Sequence, residues 1–415
     1  MLDVTSILDK AKNLGLSAEI YYVERKEYEI TREKQTFSKS LNESGYGLRV
    51  FKDGRVGFAY STKLEESLLQ RSMDTMKVSE KDEANYLPEI KPVNSLPLFY
   101  KVDPFEICKT YIEELSDLRG KINVISITSS AYEVKVGLEN TEGEKVEETR
   151  SGIYAGVIAN YVDGSYVGPE IYEYSTFRYP KKDLTTIKDT IISKVQSTAK
   201  RIKLDFVPKS VIFTPKAMSE LFVPLFSRAI SEEYAYRRRT PLRSNDIIKE
   251  GLKIVDDPTI GDSIYSRSFD GEGIESKLNV ILDGQIKTYL SNTYWARKAH
   301  VENTASAYRN YSSQPVISPT NLLVRYAEHS VEENSKVVVD SVQGVHTSNF
   351  DTGEFSVVSP VAWLIKDGKR IGLRELTVTG DLLQLIRGIL AISKAEETYG
   401  NLTIGNVEVE GISIA

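Results

Sequence analysis

Three histidines and one cysteine are all that this 415-residue chain offers for nucleophilic or transition-metal chemistry: His300, His329, His346 and Cys108. A zinc site normally draws three or four His, Cys or carboxylate ligands together, with two of them on one short element. No two of these histidines lie within a helical turn of each other, and none is near Cys108 in sequence. A His-only site would therefore have to collect all three from separate loops. His300, at the end of YWARKAH, reads instead as a half-buried structural histidine, and His329, in AEHS, as part of a solvated turn. Cys108 sits at a core position of an amphipathic helix. Other nucleophile and phosphate signatures are missing as well. GDSIYS (261–266) breaks the Gly-x-Ser-x-Gly elbow, and GYGLRV lacks the third glycine of a dinucleotide fingerprint and leads into a strand.

Charged clusters are the remaining chemistry. Arg237, Arg238, Arg239 and Arg243, in YRRRTPLR, could grip a carboxylate; the competing reading is a solvated loop paired with Glu232 and Glu233. Asp256, Asp257 and Asp262, in VDDPTIGD, do not follow a calcium-loop spacing, and Asp-Pro with Gly261 is ordinary turn chemistry. SRSFDGEG (266–273) is denser: one Arg, one aromatic, two acids and two glycines in a row, which could also be a glycine turn closed by an Arg267–Asp270 pair. The net charge of −6 argues against nucleic acid as a partner. A single cysteine excludes an internal disulfide. No window approaches the length of a membrane span, and the first residues lack a signal-peptide pattern, so the expected location is cytoplasmic.

The elements that must position these residues follow from periodicity and turn signals. Ile7, Leu8, Ala11 and Leu14 mark a first helix with Thr5 or Ser6 as cap and Gly15 as stop. Asp53-Gly54 joins two strands of a hairpin. Thr62 is expected to cap a helix through Leu64 to Met76, and Asp103 with Pro104 starts another. A proline-rich connector lies between them. Residues 121–178 alternate as an antiparallel meander, and Asp183 is expected to cap a long helix. The pattern resets near 205. Beyond it come a buried strand (SVIFT), a helix opened by Pro215, hairpins at Asp283-Gly284 and Asp367-Gly368, and an amphipathic helix over 382–392. Clustered strands and helices, without βαβ alternation, predict an α+β fold with largely antiparallel sheets.

Read in order, GYGLRVFKDGRVGFAYST, VIFTPKAMSELF, IVDDPTIGDSIYSRSFDGEG, VILDGQIKTYLSNTYWARK, SPTNLLV, NFDTGEFSVV and ELTVTGDLLQLI resemble the TldD/PmbA family. This group was once described as modulators of DNA gyrase and is now regarded as components of zinc metallopeptidases. The resemblance runs from about residue 20 to the end of the chain. It implies an N-terminal domain of paired α/β subdomains with antiparallel sheets (1–204, subdomains about 1–100 and 101–204). A β-rich C-terminal domain (205–415) follows.

The TldD-type branch carries a His-Glu-x-x-x-His metal element on the helix after the strand matching VIFTP. Here that region reads AMSELFVPLFSRAISEEYAYRRR, with no His or Cys in any register. RSFDGEG is similar to the TldE/PmbA branch. The resemblance thus implies a non-catalytic, TldE/PmbA-like subunit of a metallopeptidase complex that degrades or processes unfolded peptides. No catalytic or metal residue is assigned to this chain, and zinc is expected in a TldD-type partner subunit. An independent peptide-binding or structural homodimer and a stand-alone hydrolase with an unrecognised site remain the alternatives. The expected contributors to a peptide cavity or subunit interface are Arg267, Phe269, Asp270 and Glu272 in SRSFDGEG, with Asn349, Thr352 and Glu354 in NFDTGEFS. Outward-facing glycine turns are the competing reading for both segments.

Overall fold

The computed structural model describes residues 3–244 and 246–415. Its first half is organised by one six-stranded antiparallel sheet. The strands run in the spatial order Arg55–Ser61, Thr36–Lys52, Ser17–Arg32, Asn123–Asn140, Lys145–Asn160 and Ile171–Phe177. Tight turns set its register. Asp53 and Gly54 both take positive φ (51° and 75°), the two-residue geometry that matches the twist of a hairpin. Strands on both sides of the proline-rich connector share this sheet.

Because successive side chains point to opposite faces, each strand serves two cores. Ile20, Leu48 and Val50 pack under the helices Val4–Asn13 and Ser67–Val78, and Ile127, Ile153 and Val157 pack under Pro104–Ser116 and Thr185–Ser197. The alternate residues Tyr21, Val136, Leu138 and Val146 face the other way, onto Phe269 and Ile90. That second face receives SRSFDGEG.

The C-terminal half is β-rich. One sheet carries Ile389–Ile392, Val407–Glu410, Ser210–Phe213, Val337–Gln343, Glu354–Lys366, Lys369–Leu373 and Arg201–Ile202 in order, with Leu376–Asp381 and Ser413–Ile414 branching from it. Another carries Gln285–Ile286, Asn279–Asp283, Leu252–Asp256, Leu322–Tyr326, Leu402–Ile404 and Glu397–Tyr399. The Pro215–Ala229 helix, capped by the Thr214 hydroxyl, shares one apolar core with both sheets through Met218, Leu221, Phe222, Leu225 and Phe226. The fold is α+β with mainly antiparallel sheets; Ser210–Phe213 beside Val337–Val339 is a parallel exception. No helix among the described residues is long and apolar enough to cross a membrane.

Several local expectations are corrected. Asp3, rather than Thr5 or Ser6, caps the first helix. The second helix starts at Ser67 without a side-chain cap, because the preceding strand stays paired through Ser61 and the chain needs further residues to turn back. The amphipathic stretch 382–392 is helical only over Leu382–Arg387; after Gly388 the apolar run Ile389–Ile392 is taken up as a strand against Val407–Val409. His300 is exposed rather than half-buried and takes a left-handed conformation (φ 55°) at the end of Thr293–Ala299.

Candidate functional site

SRSFDGEG is a buried loop whose two carboxylates are both hydrogen-bonded. Phe269 is anchored against the first sheet. Gly273 takes φ 78°, and a Cβ there would lie 2.9 Å from Leu138 Cδ2, so conformation and space both call for glycine. Asp270 is the organiser. Its carboxylate accepts the backbone N–H groups of Glu272 (2.8 Å), Ile274 (3.1 Å) and Ala307 (3.0 Å). Burial, with the charge of Glu272 adding to it, pushes the Asp270 carboxyl up to about 6. No ion pair joins Arg267 to Asp270 among the described residues. Arg267 instead donates from Nη1 to the Ala307 carbonyl (2.9 Å).

Glu272 connects this loop to the first sheet. Its Oε1 accepts from Arg49 Nη2 (3.1 Å) and its Oε2 from the Thr293 backbone N–H (2.8 Å). Arg49 donates its Nε to Glu19 (2.8 Å), its cross-strand partner in register. Arg309 reaches the same Glu19 oxygen, with Nη2 at 2.7 Å, and lies over the Tyr21 ring at 4.5 Å. Burial raises the Glu19 carboxyl, but Arg309 and Arg49 together outweigh it and hold the group below the usual carboxylate range. Charges buried this deeply persist only where they are paired and hydrogen-bonded. The network therefore fixes how the C-terminal half sits on the first sheet.

Beside it opens a cleft of about 510 Å³, lined by Tyr21, Arg25, Arg150, Arg267, Arg309 and Tyr311 among others. Tyr311 lies across Gly45, where a Cβ would come within 2.3 Å of its ring, and its hydroxyl donates to Glu43 (2.7 Å).

The structure brings Arg267, Phe269, Asp270 and Glu272 together, and places Asn349, Thr352 and Glu354 elsewhere. These three lie on an exposed turn closed by Asn349 N–H to the Glu354 carbonyl (2.9 Å), with the Thr352 hydroxyl donating to the Glu354 carboxylate (3.1 Å). Asp351 fastens that turn to Arg228 (2.6 Å) and Arg239 (2.7 Å). Part of the arginine run is thus an ion-paired loop, with Arg237 also paired to Glu233 (3.2 Å). Cys108 is buried, and burial pushes its thiol up to about 11, away from reactivity.

One feature had no local signal in the sequence. Lys194 lies between Glu173 (2.7 Å) and Asp340 (2.8 Å), while Lys216 and the Tyr399 hydroxyl also reach Glu173. These residues come from distant segments, each with unremarkable neighbours. Glu232 lines a cavity of about 640 Å³ with Arg238, Arg243 and Tyr289, and burial pushes its carboxyl up to about 7.

A long antiparallel sheet clamped by buried charges onto a β-rich half, with a polar cleft at the seam, defines an α+β protein of the two-half, cleft-bearing kind. Residues 209–415 match the PmbA/TldA metallopeptidase C-terminal domain, and residues 18–75 match PmbA/TldA metallopeptidase domain 1. The chain belongs to the TldD/PmbA family. An uncharacterized protein of Methanocaldococcus jannaschii is 26% identical, covering 99% of both chains. The metalloprotease PmbA homolog of Buchnera aphidicola subsp. Acyrthosiphon pisum is 24% identical, covering 99% of this chain and 96% of that one. The fold is shared with the crystal structure of TldE from Thermococcus kodakarensis (TM-score 0.89, 22% identity, 99% of each chain).

A metallopeptidase implies a metal, and the donors present here do not fit a zinc site. The Pro215–Ala229 helix carries neither His nor Cys, and His300, His329 and His346 stand on three separate segments. Among the described residues no three His, Cys, Asp or Glu side chains are grouped to hold a metal ion. Tetrahedral zinc needs such a convergence.

Proposed function

We propose that this chain is the TldE/PmbA-type subunit of a TldD–TldE-type metallopeptidase acting on unfolded peptides, with zinc carried by a TldD-type partner. The observation that carries this reading is the Pro215–Ala229 helix. By resemblance it matches the helix that carries the His-Glu-x-x-x-His element in the metal-bearing branch, and its own inward face is Met218, Leu221, Phe222, Leu225 and Phe226, all buried as core. Amide hydrolysis at neutral pH needs an activated water or nucleophile. Glu232 holds a proton near neutrality, but among the described residues no grouped metal ligands accompany it. The role left to this chain is holding peptide and partner. Strand edges and backbone groups bind extended chains without regard to side-chain identity, which suits unfolded substrates.

The test is a comparison of the purified chain alone with the chain co-expressed with a TldD-type paralogue of its host. Alone, it should hold well under one zinc per chain and leave an unfolded peptide intact. With the paralogue, it should co-elute and cleavage should appear and be chelator-sensitive. Chelator-insensitive turnover by the chain alone, abolished by a single Ser, Asp or Glu substitution, would sink the reading in favour of a stand-alone hydrolase.

A further inference from the structure

A buried hydrogen-bond donor left without an acceptor costs about 1–3 kcal/mol, more for a charged group. Two guanidinium groups with such donors line the cleft at the seam. Arg267 is 5% exposed and Arg309 3% exposed. Arg267 uses only Nη1; its Nε and Nη2 have no hydrogen-bond partner among the described residues. Those two nitrogens carry the parallel N–H bonds on one edge of the guanidinium plane, the pair that a carboxylate accepts in bidentate fashion. Arg309 is ion-paired to Glu19 (2.7 Å), but the contact is not aligned as a hydrogen bond and none of its three guanidinium nitrogens has a hydrogen-bond partner among the described residues.

Most acceptors around them are already engaged, Glu19 Oε2 being the exception. Asp270 spends its oxygens on three backbone N–H groups. One Asp256 oxygen accepts from the Thr320 N–H and hydroxyl and the Asn321 N–H. Glu19 and Glu272 share Arg49. The outer arginines of the cleft are neutralised locally, Arg25 by Glu27 and Arg150 by Glu148. The cleft therefore offers donors for one small anionic group and little attraction for a polyanion. Its walls are Tyr21, Val23 and Val136, and its volume lies in the range of small-ligand sites. Along its side, the ribbon of Ala307–Tyr308 and Val316–Ile317 exposes Tyr308 and Val316.

We propose that Arg267 and Arg309 form a carboxylate site in this cleft that holds an extended peptide by its C-terminal carboxylate or by an acidic side chain. This rests on the peptide-handling reading above. The experiment measures binding of short unstructured peptides to the full chain by calorimetry. One peptide without Asp or Glu is offered as the free acid and as the amide, and a second amide carries one internal Glu. The free acid should bind about tenfold or more tighter than the plain amide, the worth of hydrogen bonds to a charged group. The internal-Glu amide assigns the source: binding like the free acid means side-chain carboxylates enter too, and binding like the plain amide restricts the site to chain ends. In Arg267→Lys the gap should shrink, because an ammonium cannot present the parallel pair; the wild-type comparison decides even if that variant is unstable. Equal binding of all three peptides overturns the carboxylate site and leaves the peptide-handling reading intact. No binding of any peptide, with or without the partner subunit, defeats both.

Discussion

Asp270 and Glu19 belong to one buried cluster yet titrate in opposite directions, because only Glu19 has two guanidinium groups against it. Asp270 is raised from 3.8 to about 6 by burial and by Glu272, so the folded state binds a proton there that the unfolded chain has released. Its contribution to stability therefore falls as pH rises through roughly 4 to 6. Glu19 is lowered, so its contribution is present above the ordinary carboxylate pKa and is lost as pH falls through the lower folded value. Urea unfolding of wild type and Asp270→Asn across this range should isolate the first effect. The stability difference, wild type minus variant, should decline between pH 4 and 6 and level off above. A difference that rises with pH would mean that Asp270 is stabilised as the anion.

Among the elements, Gly273 sets the geometry on which the cluster depends. Gly143 has a nearly equal φ (80° against 78°), but a Cβ at Gly143 meets nothing within 4 Å, whereas at Gly273 it meets Leu138. Gly143→Ala should cost about 1–2 kcal/mol, the left-handed penalty alone. Gly273→Ala should cost more by at least about 1 kcal/mol from overpacking, read as a lower denaturation midpoint at unchanged slope; equal losses would show that the loop yields freely. The same contrast explains what the sequence made legible. Asp53-Gly54, Asp367-Gly368 and Asp103-Pro104 are visible because the turn or cap is written in adjacent residues. Ile389–Ile392 was misleading because its helical spacing loses to a strand partner, Val407–Val409, that local periodicity does not contain. SRSFDGEG stood out by composition, but its partners did not. Arg49 and Glu272 lie 223 positions apart, and Glu19, Arg49 and Arg309 each sit in ordinary-looking strand or loop sequence. The apparent Arg267–Asp270 pair was a local inference that tertiary hydrogen bonding to Ala307 replaces.

On the scale of the whole molecule, the first sheet and the C-terminal half are joined on both sides. Over the helical layer, Cys108, Tyr111, Ile187 and Ile191 share one apolar core with Ile212, Val338 and Trp363 of the C-terminal sheet. Arg201–Ile202, which leaves the last helix of the first half, pairs with Gly372 and Leu373 in that sheet. Lys194 on that helix is ion-paired at once to Glu173 of the first sheet and Asp340 of the second. On the opposite face Phe269 and Glu272 enter the first sheet's territory. Chains of this length commonly unfold in separable steps because each domain closes its own core. Here separation would expose shared apolar surface and leave Lys194, Asp340, Arg49 and Glu272 buried without partners or newly hydrated. Differential scanning calorimetry should therefore show one cooperative transition, with the calorimetric and van't Hoff enthalpies in agreement. Lys194→Met removes one cation from between two buried carboxylates, a loss of about 3–5 kcal/mol. It should shift that single transition to lower temperature without splitting it. Two transitions in the wild type, with Lys194→Met moving only one of them, would show that the seam does not couple the folding of the halves.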